Sequence, residues 1–340
     1  MMLSSDYLIP IMNKELRRGI TRFDVYEGWR SDRPIFSGFY ERRAFRVRSI
    51  SKDDYFSRFP RDRDFPCYFD LIQKVLHGSC ILDLSEIEEF RNRFREITED
   101  EEPFRRNTRF YYDTNSLMNN YFHIFRETIP DFTTAAGHTT SYGVVSELED
   151  LFDRKLKGRF FPGSFDEIYS GNGDMFYNQP NLSGRFARMG YPEIDYMKDE
   201  LQADILTDDR TGDRGIMSAF VRDANQNNVE GVIVTNDATM AERAGKRMGA
   251  WHVNFDLERV YDVRTKMEYF LDALYRASVT YGRIKVNDNI VIEGIWKGKD
   301  AEEWKGRCVR ISKCNDCKIE SISRILERVP DEFFGKGYYS

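Results

Sequence analysis

No apolar run in the 340 residues approaches the roughly 18 that a membrane helix needs. The opening Met1-Met2-Leu3-Ser4-Ser5-Asp6 lacks the basic flank and apolar stretch of a signal peptide. The expectation is a chain with no membrane partner. Cysteine is scarce: five residues, an odd number without framework spacing, which speaks against a disulfide scaffold and for a reducing, cytoplasmic setting. Histidine is scarcer. His77, His123, His138 and His252 share no ligand spacing, so no histidine-built metal centre is expected. No serine-nucleophile motif is present, and Gly171-Asn172-Gly173 lacks the strand-turn-helix context of a phosphate-binding loop.

What the chain has in quantity is aromatic residues, 26 Phe and 19 Tyr, and these argue against long disorder. The 41% hydrophobic share suits a globular protein, and the length allows two or three compact units. The net charge of −6 hides an asymmetry, since residues 1–63 hold 14 Lys and Arg against 9 Asp and Glu. A basic arm on an acidic body suits an enzyme that holds an anionic chain with one part and metal ions with another; a solvated surface explains it equally simply.

Three regions follow from composition. Residues 1–105 form a basic, aromatic N-terminal α+β extension. Phe45, Val47 and Ser49 alternate with Arg46 and Arg48 as a strand, and Ser85 with Glu88 makes a capping box for a helix carrying Ile87, Phe90, Phe94 and Ile97. Residues 106–262 alternate strand and helix. Phe110-Tyr111-Tyr112 and Val232-Ile233-Val234 are buried-type strands, with a third at Trp251, Val253 and Phe255. Helical faces follow at Leu117–Phe125, Thr140–Lys155, Ile216–Ala224 and Met240–Met248, the last with Gly249 as its stop. The pattern predicts an α/β fold with a parallel sheet covered on both faces. Residues 156–206 interrupt it as a long Gly-, Pro- and Asn-rich insertion, expected to be a functional loop bordering the site. Residues 263–340 make a small β-rich C-terminal module: a helix over Met267–Tyr275, a hairpin around Asn287-Asp288, a strand at Val309 and Ile311, and a closing helix near 319–329.

Four acids stand where a metal site would want them. Asp113 and Asp237 each follow an apolar strand run, and open parallel sheets bind ligands at the carboxyl ends of their strands. Asp213 opens a helix. Glu147 lies at the shoulder of a helical face made by Val144, Leu148 and Leu151. Gathered carboxylates repel, a divalent cation relieves them, and oxygen-only ligation favours Mg²⁺ or Mn²⁺. Such an ion polarises a phosphodiester and makes water more acidic. The simpler account makes Asp113 and Asp237 helix caps, with Thr235 and Asn236 as turn residues.

Tyr112-Asp113-Thr114-Asn115-Ser116-Leu117 resembles the first motif of PIN-domain nucleases, and Ser146-Glu147-Leu148 their second. Asp213 with its helix is similar to their third acidic position, and Thr235-Asn236-Asp237 resembles their Thr-Asn-Asp signature. The resemblance covers roughly residues 106–260. It implies a PIN-like fold and a divalent-metal-dependent endonuclease, with RNA as the favoured substrate. Asp113, Glu147, Asp213 and Asp237 would be the catalytic metal ligands for Mg²⁺ or Mn²⁺, supported by Asn115, Thr235 and Asn236. Asp204, Asp208 and Asp209 lie near the third position, and Glu149 competes with Glu147. An inactive PIN-like scaffold and a DNA-directed nuclease are the alternatives, and a homo-oligomer is compatible with each.

Cys314-Asn315-Asp316-Cys317 has the spacing of a zinc half-site, with Cys308 as a third ligand, but no second pair exists; two reduced cysteines in a turn is the simpler reading. Arg42, Arg43, Arg46 and Arg48 lie among aromatics in a pattern that suits phosphates and unpaired bases. Trp296-Lys297 and Trp304-Lys305 share that chemistry and are candidate nucleic-acid contacts too.

Overall fold

The structure is a computed structural model and describes residues 2–4, 8–27, 33–42, 44–50, 69–84, 86–99, 107–154, 173–207, 212–253, 262–287 and 290–314. Along the chain run β1 (Met2–Ser4), α1 (Leu8–Arg17), β2 (Arg22–Glu27), β3 (Phe36–Glu41), β4 (Ala44–Ser49), α2 (Phe69–Gly78) and α3 (Ile87–Glu99). Then come β5 (Thr108–Tyr112), α4 (Thr114–Met118), α5 (Tyr121–Thr128), α6 (Phe132–Ala135), β6 (Gly137–Thr139) and α7 (Tyr142–Asp153). After a 3₁₀ turn at Gly173–Phe176 follow α8 (Leu182–Asp199), α9 (Asp213–Gln226), β7 (Glu230–Thr235), α10 (Ala238–Ala244), β8 (Gly249–His252) and β9 (Asp262–Thr265). The last described elements are α11 (Met267–Tyr281), β10 (Arg283–Val286), β11 (Ile290–Glu293), α12 (Ala301–Lys305) and β12 (Cys308–Cys314). No helix among the described residues is long and apolar enough to cross a membrane.

Two compact units divide the chain: Met1–Leu82 with Lys155–Arg185 and Leu257–Ser340, and Asp83–Arg154 with Phe186–Asp256. The first holds an eight-stranded antiparallel sheet in the order β1-β12-β11-β10-β2-β3-β4-β9. Sequence reading treated residues 1–105 and 263–340 apart, yet their strands share this sheet. Period-two alternation sets its inner face: Phe23 and Val25 on β2, and Phe45 and Val47 on β4, are buried. Phe270 of α11 stacks on Phe45 with ring centroids 4.4 Å apart, and Phe23 and Phe36 close around it. Gly38 is needed here, because a Cβ would stand 2.4 Å from the Phe270 ring. The hairpin expected at Asn287 joins β10 to β11, and Asn287 takes a left-handed φ of 49°.

The second unit is built on a four-stranded parallel sheet, β6-β5-β7-β8, flanked by helices. Leu206 bridges Ser141 in parallel just past β6. Phe110, Tyr111 and Tyr112 of β5 are all fully buried, as a strand covered on both faces requires. Phe110 faces Phe94 of α3 and Phe132 of α6, while Tyr111 faces Phe220 of α9. Phe90 of α3 stacks on Trp251 of β8. So α3, expected in the N-terminal region, covers this sheet.

Three details differ from the sequence reading. The helix after Asp113 is two helices, because Asn120 takes a left-handed φ of 59° between α4 and α5. Gly245 is the C-cap of α10, and Gly249, expected to stop that helix, opens β8. Residues 156–206 are not irregular throughout: α8 occupies 18 of them and buries Phe186, Met189, Ile194 and Met197 on one side. The Gly and Pro content of that segment hid a helical period. Ser85, residues 156–172 of the insertion, Asp208, Asp209, Phe255, Cys317 and the closing helix near 319–329 lie outside the described residues.

Candidate functional site

β5 and β7 lie side by side and parallel, with Tyr112 opposite Val234. From β5 the chain moves to β6 on one side, and β7 lies on the other. Their carboxyl ends therefore flank a point where the sheet order reverses, the usual crevice of open α/β sheets. Asp113 and Thr235-Asn236-Asp237 occupy that position.

Asp113 leaves β5 with extended backbone and caps α4; its Oδ1 accepts the Ser116 N–H at 2.7 Å. Its Oδ2 accepts the Thr235 hydroxyl at 2.5 Å. Thr235 Oγ1 in turn accepts the Asp237 N–H at 2.9 Å. Asp237 caps α10, its Oδ1 accepting the N–H groups of Thr239 and Met240. One buried threonine thus links both aspartates. Asp113 is only 3% exposed, and burial pushes its carboxyl up to about 6; the Asp237 charge adds to the rise, against the hydrogen bonds from Thr235 and Ser116.

Glu147 is half-buried on α7, which starts from the Ser141 cap, and its Oε2 accepts the hydroxyl of Thr114, the residue after Asp113. Glu149 turns elsewhere and accepts the Tyr191 hydroxyl at 3.0 Å. Of these two acids, Glu147 is the one joined to α4. Asp213 is exposed at the first position of α9, and no hydrogen bond among the described residues ties it to the other three. Asp204 is exposed, and its carbonyl accepts from Thr139. Asn115 is exposed on α4, and the Asn236 carbonyl faces His252 Nε2 at 3.3 Å. Hydrogen bonds therefore join Asp113, Thr235 and Asp237 and tie Glu147 to Thr114, the residue after Asp113, while none among the described residues joins Asp213 to them. Among the described residues, no group of three His, Cys, Asp or Glu could hold a metal ion.

Two buried polar groups pack against β5: Asp223, which sequence reasoning missed, and His138, which it gave no ligand role. Asp223 on α9 is buried and takes hydrogen bonds from Arg109 and from the Tyr111 hydroxyl, at 2.8 and 2.7 Å. Its position three after Phe220, on the buried face, was the available signal. His138 is 4% exposed. Its Nε2 lies 2.8 Å from the Phe132 carbonyl and so carries the proton, leaving Nδ1 to accept the Tyr112 hydroxyl at 2.9 Å. Burial drives its pKa down to about 4, so it is a neutral core residue.

The candidate nucleic-acid residues have mixed fates. Arg46 and Arg48 are exposed but both bind Asp262, Arg46 through two nitrogens at 2.5 and 2.8 Å. Arg42 sits in the β3–β4 turn with φ of 50°, and Arg43 lies outside the described residues. Trp296 and Trp304 are each 3% exposed and cannot stack on a base as they stand. They enclose Lys299, whose Nζ lies 4.6 and 4.0 Å from their ring centres and donates to the Gly294 and Cys308 carbonyls. Lys297 and Lys305 remain exposed.

Set against known proteins, the chain matches no family model and no curated sequence.

Proposed function

We propose that the second unit is a divalent-metal-dependent endonuclease, acting on phosphodiester bonds of RNA at the carboxyl ends of β5 and β7. The observation that carries this is the Asp113–Thr235–Asp237 linkage: a buried carboxylate with a raised pKa beside a second carboxylate at a sheet switch point. The ordered motifs that resemble PIN-domain nucleases support the reaction class and the RNA preference.

The donors suit Mg²⁺ or Mn²⁺. Mg²⁺ takes one or two carboxylates and keeps several waters, so a pair of aspartates suffices. An ionised carboxylate has about four acceptor sites, and Asp113 uses two of them while Asp237 uses only one oxygen. Asp113 and Asp237 would hold the ion, and Glu147, tied to Thr114, and Asp213 are the further acids that the motifs offer. The bound ion would supply Lewis acidity toward the phosphodiester and a more acidic water. Thr235 holds Asp113 in one orientation, and Thr114 holds Glu147 toward α4.

A second reading has its own support. Both aspartates are N-caps, so an inactive scaffold with the same fold accounts for their positions. Incubating the chain with single-stranded RNA, structured RNA and single-stranded DNA, in Mn²⁺ and in EDTA, separates the readings. Mn²⁺-dependent cleavage lost in Asp113→Asn is the expected result. No cleavage of any substrate favours the scaffold, and cleavage of DNA alone moves the substrate class.

A further inference from the structure

β2, β3, β4 and β9 pair in a register that draws one straight row across the sheet of the first unit. Arg22 pairs with Phe39, Phe39 with Arg46, and Arg46 with Arg264. Directly paired residues share a face. This face is the one turned away from Phe270, since the alternate residues Phe23, Phe45 and Val47 are buried. Arg22 and Arg46 have side chains 61% and 48% exposed, Arg264 is exposed, and Phe39 is half-buried. The next row is Asp24, Ser37, Arg48 and Asp262.

The charges on this face do not balance locally. Asp24 takes Arg22, Asp262 serves both Arg46 and Arg48, and Glu41 adds a weaker attraction on Arg46. Arg264 stands directly opposite Arg46, and like charges at directly paired positions destabilise a sheet. A phosphate placed between them relieves that repulsion. Phe39 lies between arginines on both sides, with the Arg22 guanidinium 5.4 Å from its ring centre. Two strand spacings, about 10 Å, separate Phe39 from Arg264. An aromatic ring in one row with three arginines fits a strand whose bases are unpaired, because a duplex hides its base faces.

We propose that this outward sheet face binds single-stranded RNA, with a base on Phe39 and backbone phosphate at Arg46 and Arg264. The inference deepens the nuclease reading by naming where the strand is held, but its test needs no cleavage. The probe is a fluorescein-labelled 12-nucleotide single-stranded RNA, bound by the full chain in EDTA and followed by anisotropy across a salt series. Arg264→Ala is expected to lower the slope of log affinity against log salt by about 0.7. Phe39→Leu is expected to weaken binding at least ~5-fold, while Phe39→Tyr, which keeps the ring, binds like the parent. An abasic 12-mer should bind the parent and Phe39→Leu alike. Equal melting temperatures for Phe39→Tyr and the parent confirm an intact sheet. Parent affinity and slope in both Arg264→Ala and Phe39→Leu would overturn the assignment, as would a parent chain that binds no RNA. The nuclease reading fails separately, through Mn²⁺-dependent cleavage that Asp113→Asn does not abolish.

Discussion

Asp113 and His138 sit in the same unit and have opposite proton linkages. Asp113 has a folded pKa of about 6 against an ordinary 3.8, so its ionised form is disfavoured in the fold. The stability it contributes is full below about 3.8 and is lost as pH rises through about 6. His138 has a folded pKa of about 4 against 6.5. Its contribution is full above about 6.5 and is lost as pH falls toward about 4. Each difference is worth about 3 kcal/mol at 1.36 kcal/mol per pH unit. Between about pH 4 and 6, unfolding releases a proton from Asp113 and takes one up at His138. The two slopes nearly cancel in the parent protein.

Asp113→Asn removes one side of that balance. Asn caps a helix as well as Asp, so the bond to the Ser116 N–H is kept. The Asn amide can be oriented to donate to Thr235 Oγ1, which leaves the Thr235 hydroxyl proton without its acceptor, at about 1 kcal/mol. In EDTA at pH 7 the variant should therefore be more stable than the parent by about 1–2 kcal/mol, the burial penalty less the lost bond. At pH 4 the advantage should vanish or reverse, because Asp113 is protonated there. The variant alone should then show the His138 slope, up to about 1.4 kcal/mol per pH unit between 4 and 6.5. Urea unfolding at pH 4, 5, 6 and 7, read as the variant-minus-parent difference, removes the contribution of the other carboxylates. A difference that stays constant across this range, or a variant less stable at pH 7, refutes the claim that Asp113 is a costly buried charge. Adding Mn²⁺ should stabilise the parent and not the variant.

His138→Phe should uncover the reverse slope, with stability falling as pH rises from 4 to 6, at a cost of about 1–3 kcal/mol for the Tyr112 hydroxyl and Phe132 carbonyl left unsatisfied; acid and neutral urea curves measure both. Thr235→Val cuts the link between the aspartates and should weaken Mn²⁺ binding about 10- to 100-fold by calorimetry, as loss of a supporting hydrogen bond does at metal sites. Glu147→Gln should reduce Mn²⁺-dependent cleavage while Glu149→Gln leaves it at the parent rate; equal loss in both would show that the Thr114 contact does not select the acid. Gly190→Ala places a Cβ 2.4 Å from the Leu117 carbonyl and should cost about 1–3 kcal/mol, shifting α4 and the Asp113 cap with it; an unchanged melting temperature would refute this close approach.

The parts of the site carried by local sequence were legible. Asp113 and Asp237 follow apolar strands and begin helices, so strand and cap signals coincide on one residue. Parallel strands covered on both faces read as continuous apolar runs, and β5 and β7 do. The choice between Glu147 and Glu149 was not legible, because two shoulders of one helical face differ only in what packs against them. Thr114 meets one and Tyr191 the other. The antiparallel sheet was hidden for a related reason. β2 pairs with β10 and β4 with β9 across more than 200 residues, and such pairing leaves no local turn signal. Trp296 and Trp304 misled because their lysine neighbours suggested an open basic surface. The lysine that meets both rings is the buried Lys299, not those neighbours.

The capping role of Asp113 and the metal role proposed for it are compatible, and the energetics separate what each explains. A cap needs an oxygen acceptor near the first N–H groups of a helix, and Asn provides one with no charge. It does not require the group to be 3% exposed, next to a second carboxylate, with its remaining oxygen fixed by a threonine. Burial and the neighbouring charge, less what the Thr235 and Ser116 hydrogen bonds offset, cost about 3 kcal/mol in the ion-free protein and do nothing for α4 that Asn would not do. They do matter to a cation. A carboxylate already desolvated and held on two sides loses little freedom on binding, and the repulsion from Asp237 becomes attraction for the ion. Asp213, exposed and free of that linkage, has none of this preparation. The physical weight of the proposed site therefore lies on Asp113 and Asp237, with Thr235 as the residue that links the pair.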